Sequence, residues 1–552
     1  MGVDYLVSQG GKLFEKRGSL LSLWQRLAEN FYPERADFTV TRNVGSEFGD
    51  WLNSSYPVMA RRDLGNSIGT MLRPTSKNWF HIRTTEGWDE LGTDARTWLE
   101  RAEERQRRAM YARTTGFARA TKEGDHDYAA FGQTVIQATL NSKGNGLLYR
   151  CWHLRDVAWM EDEDGKIGTI YRKWKPTVQD LMHLFPGKVH QNVADKMEKE
   201  PHKEIEVWHC IVPADAYPSD GGKKYRTPYM SIYLDVANKH KMEEIGVFQQ
   251  GYIIPRWETV SGSQYAYSPA SIVALADARL IQAMTGVLLE AGEKAVSPPM
   301  IAIQGALRSD LNIMAGGVTW VDMEYDERLG EVLRPLTQDK SGIPLGLEMA
   351  QDTRMQIAEA FYLNKLSLPP QQGEMTAYET GQRVQEYIRQ AMPLFEPMEP
   401  EYNGPICENT FDMLMRAGVF GSPMDMPEEL QGRDFQFVFE SPLHDAVERE
   451  KGQRLIEASS MISQMAPLDN TAVYLLDTKK ALRDTFQATG VPAAWQRSEA
   501  EVQSLAEKAQ QEKQTAELLA QMQAGANVAK TASEANVNPG ATPGMGLGVA
   551  AP

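Results

Sequence analysis

Four residues of the 552-residue chain have the types that hold zinc: Cys151 and His153, one residue apart, and His209 beside Cys210. Structural zinc sites space paired thiolate and imidazole ligands about two to four residues apart, and neither pair does so. Both pairs fall in alternating, strand-like sequence, where a buried thiol and a hydrogen-bonded imidazole are the plainer reading. Asp125-His126-Asp127 could orient an imidazole for proton transfer,. No nucleophile stands near it in sequence, and a polar helix face accounts for it. Glu161-Asp-Glu-Asp-Gly165 gathers carboxylates but lacks the alternating ligands and closing Glu of a calcium loop, so Asp164-Gly165 reads as a hairpin turn,. Gly221-Gly-Lys-Lys224 opens no helix, and no phosphate loop, His-Glu-x-x-His or Gly-x-Ser-x-Gly occurs,. The sequence therefore points away from an enzyme and calls for no cofactor or metal.

Composition narrows the class. The net charge of -16 argues against a surface that grips nucleic acid throughout by counterion release, though not against a local contact,. Three cysteines make a disulfide framework a poor fit and suit a reducing compartment,. The sequence reading finds no apolar run approaching the ~20 residues of a membrane span and no signal-peptide core at the N-terminus. The expectation is a soluble intracellular protein with no membrane partner and about three to five domains' worth of core.

The elements that would position any site read as α+β, mainly helical with one β-rich subdomain. Apolar spacing predicts helices over 12–35, 58–72, 94–113 and 117–141,. The arginines of 94–113 alternate with glutamates, so a solvated helix with internal ion pairs is preferred to a nucleic-acid face. Period-two sequence fills 146–260, with strands at 147–153, 157–160, 167–174, 205–212, 229–234 and 251–257 and a short helix at 178–184,. Ser268-Pro269 then opens a long helix on which Ile272, Ala276, Leu280, Met284, Val287, Leu288, Ala291 and Ala295 share one side,. Short β-like pieces at 300–303, 318–321 and 331–333 follow, helical spacing returns from 345 to 363, and Pro369-Pro370 closes the unit. A broken helix, the strand 435–439 and further helices at 445–465, 470–488 and 498–523 come next. Residues 524–552, mostly Ala, Gly, Pro, Asn and Thr, read as a disordered tail,.

Several phrases spread in order along the chain resemble the head-to-tail connector (portal) proteins of short-tailed phages. They are Leu64-Gly-Asn-Ser-Ile-Gly-Thr-Met-Leu-Arg-Pro74 before Trp79-Phe80, Ala130-Phe-Gly132, Gly165-Lys-Ile-Gly-Thr-Ile-Tyr171 leading into Thr177-Val-Gln-Asp-Leu181, and Pro255-Arg-Trp257. Tyr265-Ala-Tyr-Ser-Pro269 stands where that family has Tyr-Gly-x-Gly/Ser-Pro, with Ala in place of Gly, and Phe439-Glu-Ser-Pro-Leu443 completes the series. The order of the phrases over roughly residues 20–450, rather than any single one, carries the resemblance.

The resemblance implies a portal fold of wing, stem, clip and crown, closing as a ring, usually of twelve copies, around a DNA channel. Residues 1–267 and 377–445 would be the wing, 268–295 and 345–363 the stem helices, 296–344 the clip, 364–376 a tunnel loop and 446–523 the crown. The implied role is non-enzymatic: nucleating the head with capsid and scaffolding proteins, docking the terminase large subunit, passing double-stranded DNA, and receiving tail adaptor proteins. The implied place is the virion's portal vertex, and the host cytoplasm during assembly. Lys365, Gln371, Gln372 and Glu374 would face DNA in the tunnel loop. Asp277, Glu290, Glu293, Lys294, Glu348 and Asp352 would line the stem channel, and Arg308, Asp310, Arg334 and Lys340 would meet motor or tail at the clip. With Glu359, the stem holds six acids against the bases Arg279, Lys294 and Arg354, a wall along which a polyanion can slide,. A ring-forming tail adaptor, or a nucleic-acid motor or nuclease, are the alternatives. The last would need a phosphate loop or a carboxylate metal cluster.

Overall fold

The structure, a computed structural model, describes residues 2–302, 333–335, 342–366, 398–439 and 499–535, save short interruptions in the first and fourth stretches, with scattered positions between 455 and 497. The chain opens with two helices where apolar spacing suggested one. α1 (Gly2–Glu15) and α2 (Gly18–Phe31) part at Arg17. This buried guanidinium donates to the carbonyls of Leu154 (2.9 Å), Arg155 (2.9 Å) and Val157 (2.5 Å). Such a cation needs acceptors for its donors, and reaching them breaks the helix.

α3 (Tyr56–Leu72), β1 (Phe80–Thr84), α4 (Thr93–Met110) and α5 (Phe117–Phe131) follow. α5 was expected to run to Asn141, and instead it ends at Gly132, whose φ is +74°. A Cβ there would lie 2.4 Å from the carbonyl carbon of Tyr267, so only glycine combines this left-handed cap with so close an approach,. β-Branched residues then make β2 (Val135–Leu140), paired antiparallel with β3 (Leu147–Trp152),.

An antiparallel meander comes next: β4 (Val157–Glu161), β5 (Ile167–Trp174), β6 (Val207–Pro213), β7 (Tyr229–Asp235) and β8 (His240–Val247), with α6 (Val178–Leu184) and α7 (Gln191–Ala194) between β5 and β6. The sequence reading missed β8, whose Lys241, Glu243 and Glu244 suit an edge strand paired on one side only,. α1 packs on one face of the meander with Trp208, while α6 and α7 pack on the other with Val207. Adjacent residues of one strand thus serve opposite cores. β9 (Tyr252–Ile253) returns to β2.

A π turn, Ala270–Ala274, leads into α8 (Leu275–Val296). β10 (Met300–Ala302) pairs antiparallel with β11 (Leu333–Pro335), and α9 (Gly342–Ala360) and α10 (Leu363–Leu366) follow. After a π turn at Glu399–Asn403 come α11 (Gly404–Arg416) and β12 (Phe435–Phe439), which pairs with β1 so that Phe80 faces Phe439. One large core joins α2 to α5, the β2–β3 pair, the start of α8, the end of α9, and α11. α12 (Glu499–Ala535) carries helix past the point where the disordered tail was expected to begin. Ala524, Ala526, Ala529, Ala532 and Ala535 are strong helix formers and explain the extension. Most of the expected clip, the tunnel loop beyond 366, the helix after it and most of the crown before 499 lie outside the described residues.

Candidate functional site

The helix pair α8–α9 is seated by polar contacts at its root. Ser268 donates its hydroxyl to the Ala130 carbonyl (2.8 Å) and its N–H to Ser271 Oγ (2.7 Å). Pro269 follows, where a missing N–H costs nothing. Farther along α8, Gln282 Oε1 accepts from the Ser54 N–H (2.8 Å) and its Nε2 donates to the Ser54 carbonyl (2.7 Å). Asn53 Nδ2 also reaches the Gln282 carbonyl at 3.1 Å. Gly346 lets α9 approach: a Cβ there would stand 2.8 Å from Leu288.

The side of α8 turned to the chain's own core is small, with Ala274, Ala278 and Ile281 buried. Three large apolar residues of the sequence stripe face outward instead, while Met284 and Leu288 are half-buried. Ile272 is 50% exposed, Leu280 46% and Val287 65%, joined by Val273 and Leu289. α9 exposes Leu345, Leu347, Met349 and Met355. This many large apolar side chains in water on two paired helices suits contact with another surface,. Contrary to the sequence expectation, the helix Ala270–Val296 is long and apolar enough, by length and composition alone, to cross a membrane.

The expected channel residues distribute along this pair. Glu290 and Lys294 bond to each other at 2.6 Å, and the ammonium holds the Glu290 carboxyl below its usual range. Glu293 is exposed in the last turns of the same helix. On α9, Glu348, Asp352 and Glu359 are all exposed, and their spacing of four and seven sets them on one side,. Arg334 sits on β11 opposite Ile301. Gln371, Gln372, Glu374, Arg308, Asp310 and Lys340 lie outside the described residues.

Two expected residues from different parts of the pair, Asp277 and Lys365, meet in one groove of about 500 Å³ between the start of α8 and the end of α9. Val273, Gln356, Glu359, Tyr362 and Glu258 line it with them. Tyr362 has a φ of +57°, uncommon for a residue with a β-carbon,. Its ring stacks on Trp257 at 6.3 Å, and Lys365 Nζ sits 5.5 Å from the ring centre. Burial, then the neighbouring Glu258, raise the phenol's pKa. Three carboxylates against one ammonium make the groove attractive to cationic groups.

The other candidate chemistry resolves into packing. His209 is buried between the Tyr252 hydroxyl (2.6 Å) and Ser231 Oγ (2.9 Å), and burial pushes its pKa down. Burial raises the thiols of Cys151 and Cys210, and His153 pairs with Asp37 at 2.6 Å. Among the described residues no group of three or more His, Cys, Asp or Glu could hold a metal ion. Asp125-His126-Asp127 is not a polar helix face, because both carboxylates are buried. Asp127 takes a two-point contact from Arg35 (3.1 and 2.8 Å). Asp125 pairs with Arg73 and accepts from the Tyr402 hydroxyl at 2.8 Å.

Sequence reasoning missed two charged joints. Arg73, besides Asp125, donates to Asn403 Oδ1 (2.9 Å) and lies 4.5 Å from the Tyr402 ring. Arg256 bonds Glu401 (3.0 Å) and Glu161. Their partners lie far apart in sequence, so no local spacing announces them; the only signal is an arginine inside an otherwise apolar phrase.

These features define an α+β body carrying a helix pair that, among the described residues, exposes large apolar side chains. The chain belongs to the bacteriophage head to tail connecting protein family, whose profile matches residues 6–495. It is similar to the portal protein of Salmonella phage epsilon15, 23% identical over 559 aligned residues that cover 96% of this chain and 95% of that protein. It is also similar to the probable portal protein of Bordetella phage BPP-1, 25% identical over 465 residues, 83% of this chain and 80% of the relative. Among solved structures, the virion of a native gene transfer agent particle aligns over 78% of this chain and 93% of its own at 9% identity, with a TM-score of 0.34.

Proposed function

We propose that copies of this chain close a ring, of twelve subunits by the family's usual number, at one vertex of a phage head. The observation that carries this is the large apolar side chains that α8 and α9 expose, among the described residues, in a chain of this family. A helix with Ile272, Leu280 and Val287 in water gains most by packing on another chain, at ~25 cal/mol per Å² buried,. The ring would conduct double-stranded DNA inward and later outward, dock the terminase large subunit, contact capsid and scaffolding proteins during head assembly in the host cytoplasm, and receive tail adaptor proteins.

In this reading α8 and α9 are the stem, β10 and β11 part of the clip between them, α10 the root of the tunnel loop, α12 belongs to the crown, and residues 1–267 and 377–445 are the wing. Glu290, Glu293, Glu348 and Asp352 would give the channel an acidic lining that repels phosphates and so lets DNA slide. The function is structural, and the motor is another protein. Purified chain should sediment as a ring-sized particle and show a central hole by negative-stain microscopy. A monomer at micromolar concentration, or DNA-stimulated ATP hydrolysis by the chain alone, refutes the assignment.

A further inference from the structure

The two sides of the helix pair carry opposite charge. Residues two apart on a helix point roughly 200° away from each other. Asp277 and Arg279 are so related on α8, as Gln356 and Arg354 are on α9. Asp277 and Gln356 line the groove together with Glu359 and Glu258. Arg279 lies on the other side, in the row that continues through Gln282 and Gly286, three and seven residues on. That row meets the Asn53–Ser54 loop, for a Cβ at Gly286 would stand 2.9 Å from Asn53 Nδ2 and Gln282 bonds Ser54. Arg354, about 200° around α9 from the groove residue Gln356, likewise points away from the groove,. At the level of the groove, one flank thus presents Glu258, Asp277 and Glu359 with Lys365, and the other presents Arg279 and Arg354, with Glu290 and Glu293 about three turns farther along the Arg279 row,.

The flanks lie at neighbouring heights. Counting along the axes from the Leu288–Gly346 contact, the arginines lie about 12–14 Å away and Asp277 and Glu359 about 16–20 Å away, offsets of about 3 Å on α8 and about 7–8 Å on α9,. Both arginines are exposed, and among the described residues neither they nor the three carboxylates form an ion pair. Unlike flanks on one body make a heterologous contact, the kind in which rotation closes a ring. Ile272 and Val273 at the groove's edge offer apolar cover for arginine stems,.

We propose that the groove of Glu258, Asp277 and Glu359 receives Arg279 and Arg354 of the next copy of this chain. The contact rests on the ring reading above and names the surface that sets the order of subunits. Lys365, held over Tyr362, is the one base that lines the groove among the described residues, which leave it net acidic.

The test uses the full chain in two double variants, Arg279→Glu with Arg354→Glu, and Asp277→Arg with Glu359→Arg. Assembly is followed by sedimentation velocity over a concentration series, and folding by circular dichroism. Alone, the first variant has two acidic flanks and the second two basic ones, so each should need about tenfold more protein than wild type to assemble, or fail to assemble. Mixed in equal parts, acidic and basic copies can alternate and should form rings near the wild-type concentration. Either variant assembling alone as wild type does, or folded variants whose mixture stays unassembled, overturns the contact while leaving the ring intact. A wild-type chain that never assembles overturns both. Should either double variant misfold, the neutral pair Arg354→Gln and Glu359→Gln serves: each should weaken assembly and flatten its salt dependence. Wild-type assembly indifferent to salt between about 50 mM and 500 mM also refutes the proposal.

Discussion

Replacing Gly132 by alanine tests whether the root of the helix pair depends on one close backbone approach. The left-handed φ of +74° costs an L-residue about 1–2 kcal/mol,. The added methyl would also stand 2.4 Å from the Tyr267 carbonyl carbon, 2.5 Å from its oxygen and 2.7 Å from the Ser268 nitrogen. These are backbone atoms that cannot rotate aside, and overpacking of this kind costs a further ~1–3 kcal/mol. Gly187 provides the control, since its φ is +71° and nothing lies within 4 Å of a Cβ placed there. Gly187→Ala should therefore lose about 1–2 kcal/mol and Gly132→Ala about 2–5 kcal/mol. Urea unfolding followed by tryptophan fluorescence reads the difference. Because Tyr267-Ser268 leads directly into the π turn before α8, Gly132→Ala should also reduce ring assembly, and Gly187→Ala should not. Equal losses in the two variants would refute the reasoning, because they would show that the approach of Gly132 to Tyr267 carries no energetic consequence.

Two more expectations concern buried charge. Asp125→Ala leaves the buried Arg73 guanidinium with Asn403 but no carboxylate, so the urea midpoint should fall by the equivalent of about 3–5 kcal/mol; a loss under about 1 kcal/mol would count against the pair,. His126, packed against Gly65 near Arg61, Arg62, Lys122 and Asp127, has its pKa lowered from 6.5 to about 4, first by burial and then by Arg61. Between those values the unfolded chain binds a proton that the native chain does not, so stability should fall as pH drops from 6.5 towards 4. The full shift converts to about 3 kcal/mol, and the ring's partial exposure reduces the expected loss to about 1–2 kcal/mol. His126→Gln should flatten that part of the stability profile, and an unchanged slope would assign it to other groups.

Where local rules act alone, the sequence was readable. Thr177 and Asp180 form a capping box, and the short helix occupies Val178–Leu184 as its spacing required,. The Asp164-Gly165 hairpin turn lies between β4 and β5, with Gly165 at a φ of +74°. Where a distant partner decides, it was not readable. Helix 12–35 breaks because Arg17 finds carbonyls at 154–157, and α5 stops because Gly132 must clear Tyr267. Trp79-Phe80 and Phe435–Phe439 both read as strand, but their pairing is a fact of the fold rather than of either segment. The groove was half visible: Asp277 and Lys365 were both singled out, for separate places in the channel. What brings them together is the turn at Tyr362 and its stack on Trp257. Opposite flanks on α8 and α9 follow from helical period once the groove shows which side is which.

The phrases that carried the family resemblance also acquire a physical meaning, because several meet at one place. Arg73, at the end of α3, pairs with Asp125 of α5. The carbonyl of Ala130 accepts from Ser268, the carbonyl of Gly132 accepts from the Trp257 N–H at 2.7 Å, and the Gln133 side chain holds the Ala266 N–H at 3.0 Å. Arg256 ties the same segment to Glu161 of the meander and to Glu401 before α11. Each phrase is unremarkable as local structure, and together they are the seat of α8–α9. A load directed along α8 meets hydrogen bonds and ion pairs at this seat and the Gln282–Ser54 clamp farther out, as well as the apolar contacts of Ala274, Ala278 and Ile281. Directional bonds hold an angle in a way that sliding apolar surfaces do not. In the proposed ring, where the helix pair meets its neighbour flank to flank, its angle to the body has to be fixed, and the placement of these bonds suits that.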